Sequence, residues 1–260
     1  MRAKTELFLY QCLWVADTLL RPSWRNLCGS FEEWAYRSGL VRQVQRLEAD
    51  GFLETHREQG GTARVVRLTK KGFIKALGGR EPEERWNRWW DGKWRIVFFD
   101  LPEEARLLRN EFRKQLKAAH FGGLQKSAWI TPDPLEAVGD ALKQIAPTPG
   151  VMTFFEGTPC GGESTEALVT SAWDFERINK AYEAHQKLLA ALPSGSTKLF
   201  REKLLEWGQD EMRSWSRCML LDPLLPRSLC PRDYQGEITW NKRIACLRRA
   251  AVLANPPRDI

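Results

Sequence analysis

The sequence predicts an α+β multidomain chain of three successive units, and three observations predict it. Residues 1–80 carry helix-period stretches followed by a glycine-tipped hairpin pattern. Residues 92–171 then run strand, helix, strand, strand, helix, strand, and residues 172–260 are mainly of helical period.

In the first unit, Leu9, Cys12, Leu13, Ala16 and Leu20 recur at three- and four-residue spacing, which predicts a helix over 5–20 broken at Arg21-Pro22. Ser30-Phe31-Glu32-Glu33 is a capping box, opening a helix that ends at Ser38-Gly39. A third helix runs from about Leu40 to Asp50 and stops at Gly51, with Leu40, Val44 and Leu47 facing inward. Two strands, Phe52–Arg57 and Arg64–Leu68, flank the glycine tip Gly60-Gly61, and Thr69 caps a short helix through Leu77. Two helices across a short glycine turn, then a hairpin, make a winged helix-turn-helix over 1–80.

Gly78-Gly79, Pro82 and the cluster Trp86, Trp89, Trp90 read as a linker, placed at 81–91. Trp94–Phe99 suits a buried strand, and Pro102-Glu103-Glu104 opens a helix to about His120. Gly123–Gln125 and Ala128–Thr131 are short strands, Leu135–Ile145 is helical and Val151–Glu156 is a last strand. The order β-α-β-β-α-β is the ferredoxin-like arrangement, assigned to 92–171. Ala167–Ser171 reads as one more strand. A helical C-terminal domain over 172–260 follows, with helices near 174–192, 199–221 and 240–254; on the second, Leu205, Met212, Trp215 and Met219 are expected to share a face.

Of the net charge of +7, residues 1–80 hold fourteen Lys or Arg against eight Asp or Glu, and the other 180 residues hold 26 against 25. Nearly all the excess therefore sits on one small unit, the electrostatic footprint of a DNA-binding domain. On the third helix, Arg42, Gln43, Gln45 and Arg46 supply donors suited to base edges, arginine to guanine and glutamine to adenine. Arg57, Arg64 and Arg67 flank the hairpin, where they would neutralise phosphates. Winged helices also serve protein contacts, so an interaction adaptor is a second reading.

Other classes find less support. No apolar stretch reaches the ~20 residues of a membrane span, and Glu6, Gln11 and Asp17 interrupt any signal-peptide pattern, so a cytoplasmic protein is expected. The six cysteines form no Cys-x-x-Cys pair and lie far from the three histidines, so neither a metal nor a cofactor is expected. Asp100 ends a predicted buried strand, where a ferredoxin-like nuclease could place a metal-binding carboxylate; no second carboxylate stands in register, and capping the next helix is the simpler role. The chain is thus read as no enzyme, with a metal-dependent nuclease as the rival. Trp89, Trp94, Trp129, Trp173 and Trp215 are read first as packing residues, and second as the lining of an aromatic acyl pocket.

The run Trp90-Asp91-Gly92-Lys93-Trp94-Arg95-Ile96-Val97-Phe98-Phe99-Asp100-Leu101-Pro102-Glu103 resembles the phenylacetate-operon repressors, the PaaX-like regulators. The resemblance continues through Arg109, Leu116, Phe121-Gly122, Leu124 and Trp129-Ile130, then Trp173-Asp174 and Tyr182, and Trp215, Asp222-Pro223-Leu224-Leu225-Pro226 and Leu229. It implies a winged helix, a central domain like the ferredoxin-fold nuclease of CRISPR adaptation, and a helical C-terminal domain. It further implies a homodimeric repressor of a catabolic operon that binds a palindromic double-stranded operator. A small-molecule effector, phenylacetyl-CoA or another acyl-CoA, would release it. No effector-binding residue is assigned.

Overall fold

The computed structural model describes residue 9 and residues 41–57, 64–76, 79–101, 103–134, 152–195 and 198–254. The helices expected over 5–20 (apart from Leu9), 30–38 and 135–145, and the hairpin tip, lie outside the described residues. Contacts divide the chain into two units, each drawn from separated stretches. One is Met1–Glu81 with Glu183–Ser216 and Glu237–Ile260, the other Pro82–Tyr182 with Arg217–Gly236.

Helix α1 (Val41–Ala49) leads into antiparallel strands β1 (Leu53–Arg57) and β2 (Arg64–Leu68) and helix α2 (Lys70–Ala76). The segment expected as a linker carries a short helix, α3 (Pro82–Trp86), with Pro at its first position and two acids in its first turn. Strand β3 (Trp94–Phe99) follows, then a 3-10 turn, α4 (Arg106–Ala118), β4 (Gly122–Gly123), β5 (Ala128–Thr131) and β6 (Met152–Gly157). Helices α5 (Thr165–Ala172), α6 (Phe175–Ala190), α7 (Lys198–Leu221) and α8 (Gly236–Ala254) complete the order. No described helix is long and apolar enough to cross a membrane.

The four strands of the second unit form one antiparallel sheet in the order β4-β5-β3-β6. Side chains alternate across a strand, so Val97 and Phe99 of β3 point to one face and Trp94, Ile96 and Phe98 to the other. On the first face, Val97, Phe99 and Leu101 pack with Phe112 and Leu116 of α4, Phe121 and Trp129. Each of these fully buried large side chains contributes on the order of 2 kcal/mol. Strand β4 is shorter than expected because the Leu124 and Gln125 amides both turn to the Ala128 carbonyl, at 3.0 and 3.1 Å, and close a turn instead of extending the ladder. Gly122 is required there: a Cβ would stand 2.6 Å from the Trp173 ring.

The strand expected at Ala167–Ser171 is a helix. Ser164 Oγ accepts the Ala167 amide at 3.1 Å, an N-cap that sets the start of α5 ahead of the β-branched residues that suggested a strand. The face expected on α7 also differs. Trp215 and Met219 are buried but Leu205 is exposed; the inward stripe is Phe200, Leu204, Trp207, Glu211, Trp215 and Cys218. A glutamate in the middle of that stripe hides its period from an apolar count. Among the five tryptophans read as packing, Trp94, Trp129, Trp173 and Trp215 are buried, whereas Trp89 is 84% exposed.

Candidate nucleic-acid interface

Among the described side chains of α1, Leu47 is the buried anchor, and residues at i, i+3 and i+4 from Arg42 lie away from it. Arg42, Gln45 and Arg46 therefore share a face, and all three are exposed. Gln43 falls about 100° around the helix from Arg42 and is half-buried, off that face. Arg46 approaches Asp50 at 3.7 Å, but its side chain is 60% exposed, so the pair leaves its guanidinium facing water. Arg57 and Arg64 stand opposite each other in the hairpin register, with Arg67 opposite Glu54. The side chains of these three arginines lie outside what is described.

The end of α1 is locked to the hairpin. Gly51 adopts a φ of +72°, its amide donates to the Glu48 carbonyl at 3.0 Å, and the Phe52 amide donates to Leu47 at 2.8 Å. These paired bonds are a Schellman cap, which needs glycine at the left-handed residue. Thr69 then ties the far side: its hydroxyl donates to the Gly51 carbonyl at 2.7 Å, its amide to Phe52 at 3.1 Å, and its oxygen accepts the Gly72 amide at 3.0 Å. Lys71 donates to the Asp50 carbonyl at 2.8 Å while its ammonium sits 4.7 Å over the Phe52 ring. A Cβ on Gly72 would stand 1.9 Å from the Phe52 carbonyl oxygen, so this approach of backbones admits only glycine. The sequence signalled Thr69 as a cap; nothing in it marked Lys71 and Gly72 as the clamp that orients α1 against the strands.

The second unit assigns structural work to the motif residues. Arg95 pairs with Asp91 and, at 2.8 Å, with Glu156 across the β3–β6 ladder. Asp91 also accepts the Lys93 amide at 3.0 Å, and Gly92 supplies the positive φ of that turn. Its carboxyl is held below the usual range, first by the Arg95 hydrogen bond. Asp133 receives Arg85 and Arg88, each at 2.7 Å; burial works to raise its carboxyl, but the two guanidiniums together hold it low. Asp222 is fully buried and accepts the Tyr182 hydroxyl, the Tyr234 hydroxyl at 2.5 Å and the Leu224 amide at 2.7 Å. Trp86 Nε1 donates in turn to Tyr234 at 2.9 Å. Burial, then the Asp222 charge, pushes both tyrosines well above their usual range. Asp100, the one residue that suggested catalysis, is exposed at the end of β3. Among the described residues no cluster of His, Cys, Asp and Glu is arranged to hold a metal ion.

The profile of the PaaX protein central Cas2-like domain matches residues 87–169, the stretch that contains the whole antiparallel sheet. The chain is 24% identical over 242 residues to the transcriptional repressor PaaX of Escherichia coli (strain K12), covering 88% of the chain and 74% of that protein. It is also similar to the uncharacterized protein Rv0674 from Mycobacterium tuberculosis, at 21% identity and a TM-score of 0.43, over 82% of this chain and 84% of that one. The Trp90–Arg95 motif and the Asp222–Pro226 motif are thus hydrogen-bond and ion-pair centres of one unit, which explains their residue types without any catalytic duty.

Proposed function

We propose that the chain is a DNA-binding transcriptional repressor that works without catalysis. The observation that carries this reading is the likeness to the repressor PaaX along 88% of the chain. Residues 1–80 act as a winged helix-turn-helix: α1 enters a major groove, Arg42, Gln45 and Arg46 meet base edges, and Arg57, Arg64 and Arg67 lie along phosphates. Gln43, half-buried, contributes at the margin of that surface. The clamp at Gly51, Thr69 and Gly72 supports this reading, since a reading helix needs a fixed angle to its wing.

Along the chain, residues 81–91 join the winged helix to a ferredoxin-like unit over 92–171, and residues 172–260 form the helical part. Numbered within the unit, the strand order β6-β3-β5-β4 is 4-1-3-2, which supports the ferredoxin-like assignment. The protein acts in the cytoplasm as a homodimer on a palindromic operator, and an acyl-CoA, phenylacetyl-CoA among the candidates, lowers operator affinity. Such coupling requires that the ligand bind two conformations unequally.

A mobility-shift series with duplexes from the region upstream of the gene and its neighbours tests this. Salt-sensitive binding to one duplex, weakened by an acyl-CoA thioester, is expected. Absence of affinity for every duplex at low salt would leave the protein-adaptor reading in its place. Cleavage of DNA dependent on Asp100 and a divalent cation would favour the nuclease.

A further inference from the structure

The near-neutral balance of residues beyond the first unit conceals a local excess. Helix α4 carries Arg106, Arg109, Arg113, Lys114 and Lys117 against the single acid Glu111. Its buried face is Phe112 and Leu116. Arg106, Arg113 and Lys117, spaced by seven and four residues, fall within about 40° of one another on one flank, a stripe roughly 16 Å long. Glu111 lies on the other flank, held by Gln115 at 3.0 Å and Lys114 at 3.6 Å. Arg113 Nε donates to the Lys126 carbonyl at 2.9 Å, which joins the stripe to the β4–β5 turn and its exposed Lys126.

Arg106, Lys117 and Lys126 are exposed, and none has a carboxylate within ion-pair distance among the described residues. Elsewhere on the same sheet, Lys93 and Arg95 are neutralised by Glu156 and Asp91. An exposed row of cations with no counter-charge among the described residues has its natural partner in a row of phosphates.

We propose that this flank of α4, with Lys126, is a second DNA-contacting surface that takes the phosphate backbone of a duplex without reading its sequence. The inference rests on the repressor reading above, and adds to it a surface outside residues 1–80.

The test uses the full-length chain and the variant Arg106→Gln/Lys117→Gln/Lys126→Gln, with a charge-keeping control, Arg106→Lys/Lys117→Arg/Lys126→Arg. Binding to a non-operator duplex is measured between about 50 and 200 mM salt, where each phosphate contact adds about 0.9 to the slope of log affinity against log salt. The glutamine variant is expected to lose two to three contacts, lowering the slope by about 2–3 and the affinity at least tenfold near 0.1 M salt. Operator and non-operator affinity should fall by the same factor, and the control should match the wild type. A glutamine variant with the wild-type slope and affinity overturns the inference alone; a wild-type chain that binds no duplex overturns the repressor reading with it.

Discussion

Replacing Glu211 by Gln removes the negative charge from a cluster with no access to water. Glu211, Arg243 and His185 are each 0% exposed. Arg243 Nε lies 2.5 Å and Nη2 3.3 Å from the carboxylate, and the guanidinium stacks 4.5 Å over the Trp215 ring. His185 Nε2 stands 3.4 Å away, its Nδ1 bonded to Ser214 at 3.0 Å. Burial alone would raise the Glu211 carboxyl, yet attraction to Arg243 and the His185 ring beside it bring it down to about 2. Against a usual value of 4.5, that corresponds to an interaction on the order of 3 kcal/mol favouring the charged form. Breaking such a pair also strands the surviving cation, so Glu211→Gln should cost about 3–5 kcal/mol. Replacing both partners with apolar groups, Glu211→Leu/Arg243→Met, strands nothing and should cost far less than the two single losses together. Urea unfolding followed by tryptophan fluorescence and circular dichroism measures the wild type, Glu211→Gln, the single variants Glu211→Leu and Arg243→Met, and the double variant. A Glu211→Gln loss under about 1 kcal/mol, or a double mutant that simply adds, would refute the reasoning.

The same pair predicts an acid limb. Glu211 is depressed in the folded state, so its contribution is present above about pH 4.5 and disappears as pH falls toward 2; Glu211→Gln should flatten that part of the stability curve. At the alkaline end, Tyr182 and Tyr234 are raised, so stability should fall once pH passes about 10, where the unfolded tyrosines ionise. Tyr234→Phe, which removes the Asp222 and Trp86 bonds together, should lower stability by roughly 2–4 kcal/mol in the same unfolding assay. Gly72→Ala forces a methyl to within 1.9 Å of the Phe52 carbonyl; it should cost roughly 1–3 kcal/mol and weaken operator binding through the tilt of α1, read by titration of a labelled duplex.

Periodicity and caps carry most of the local structure. The third helix, observed as Val41–Ala49, its glycine stop and the strands on either side of the hairpin tip stand within a residue or two of expectation. Trp94–Phe99 matches at both ends, because the β-branched and aromatic run Ile96–Phe99 favours a strand. The missed charged centres share a cause: long-range partners. Nothing local distinguishes Glu211 from a surface glutamate until Arg243, 32 positions later, is brought against it. Asp222 acquires its meaning only from Tyr182 and Tyr234, and Asp133 only from Arg85 and Arg88. At α5 the local signals compete: Ser164, followed by Glu166 in the first turn, is a cap that outranks the β-branched Val169 and Thr170. For the interface, helical geometry sharpened the list by grouping Arg42, Gln45 and Arg46 on one exposed face and turning Gln43 aside.

The central claim is that α1 reads sequence while the positive charge of residues 1–80 supplies general affinity. Its most direct test compares wild type with Arg42→Ala/Arg46→Ala on the operator and on an unrelated duplex at one fixed salt concentration. Each bidentate base contact discriminates by about 1–3 kcal/mol. The operator affinity of the double variant should therefore fall at least tenfold further than its affinity for the unrelated duplex. An equal loss on both duplexes would reduce these arginines to phosphate contacts and contradict the account.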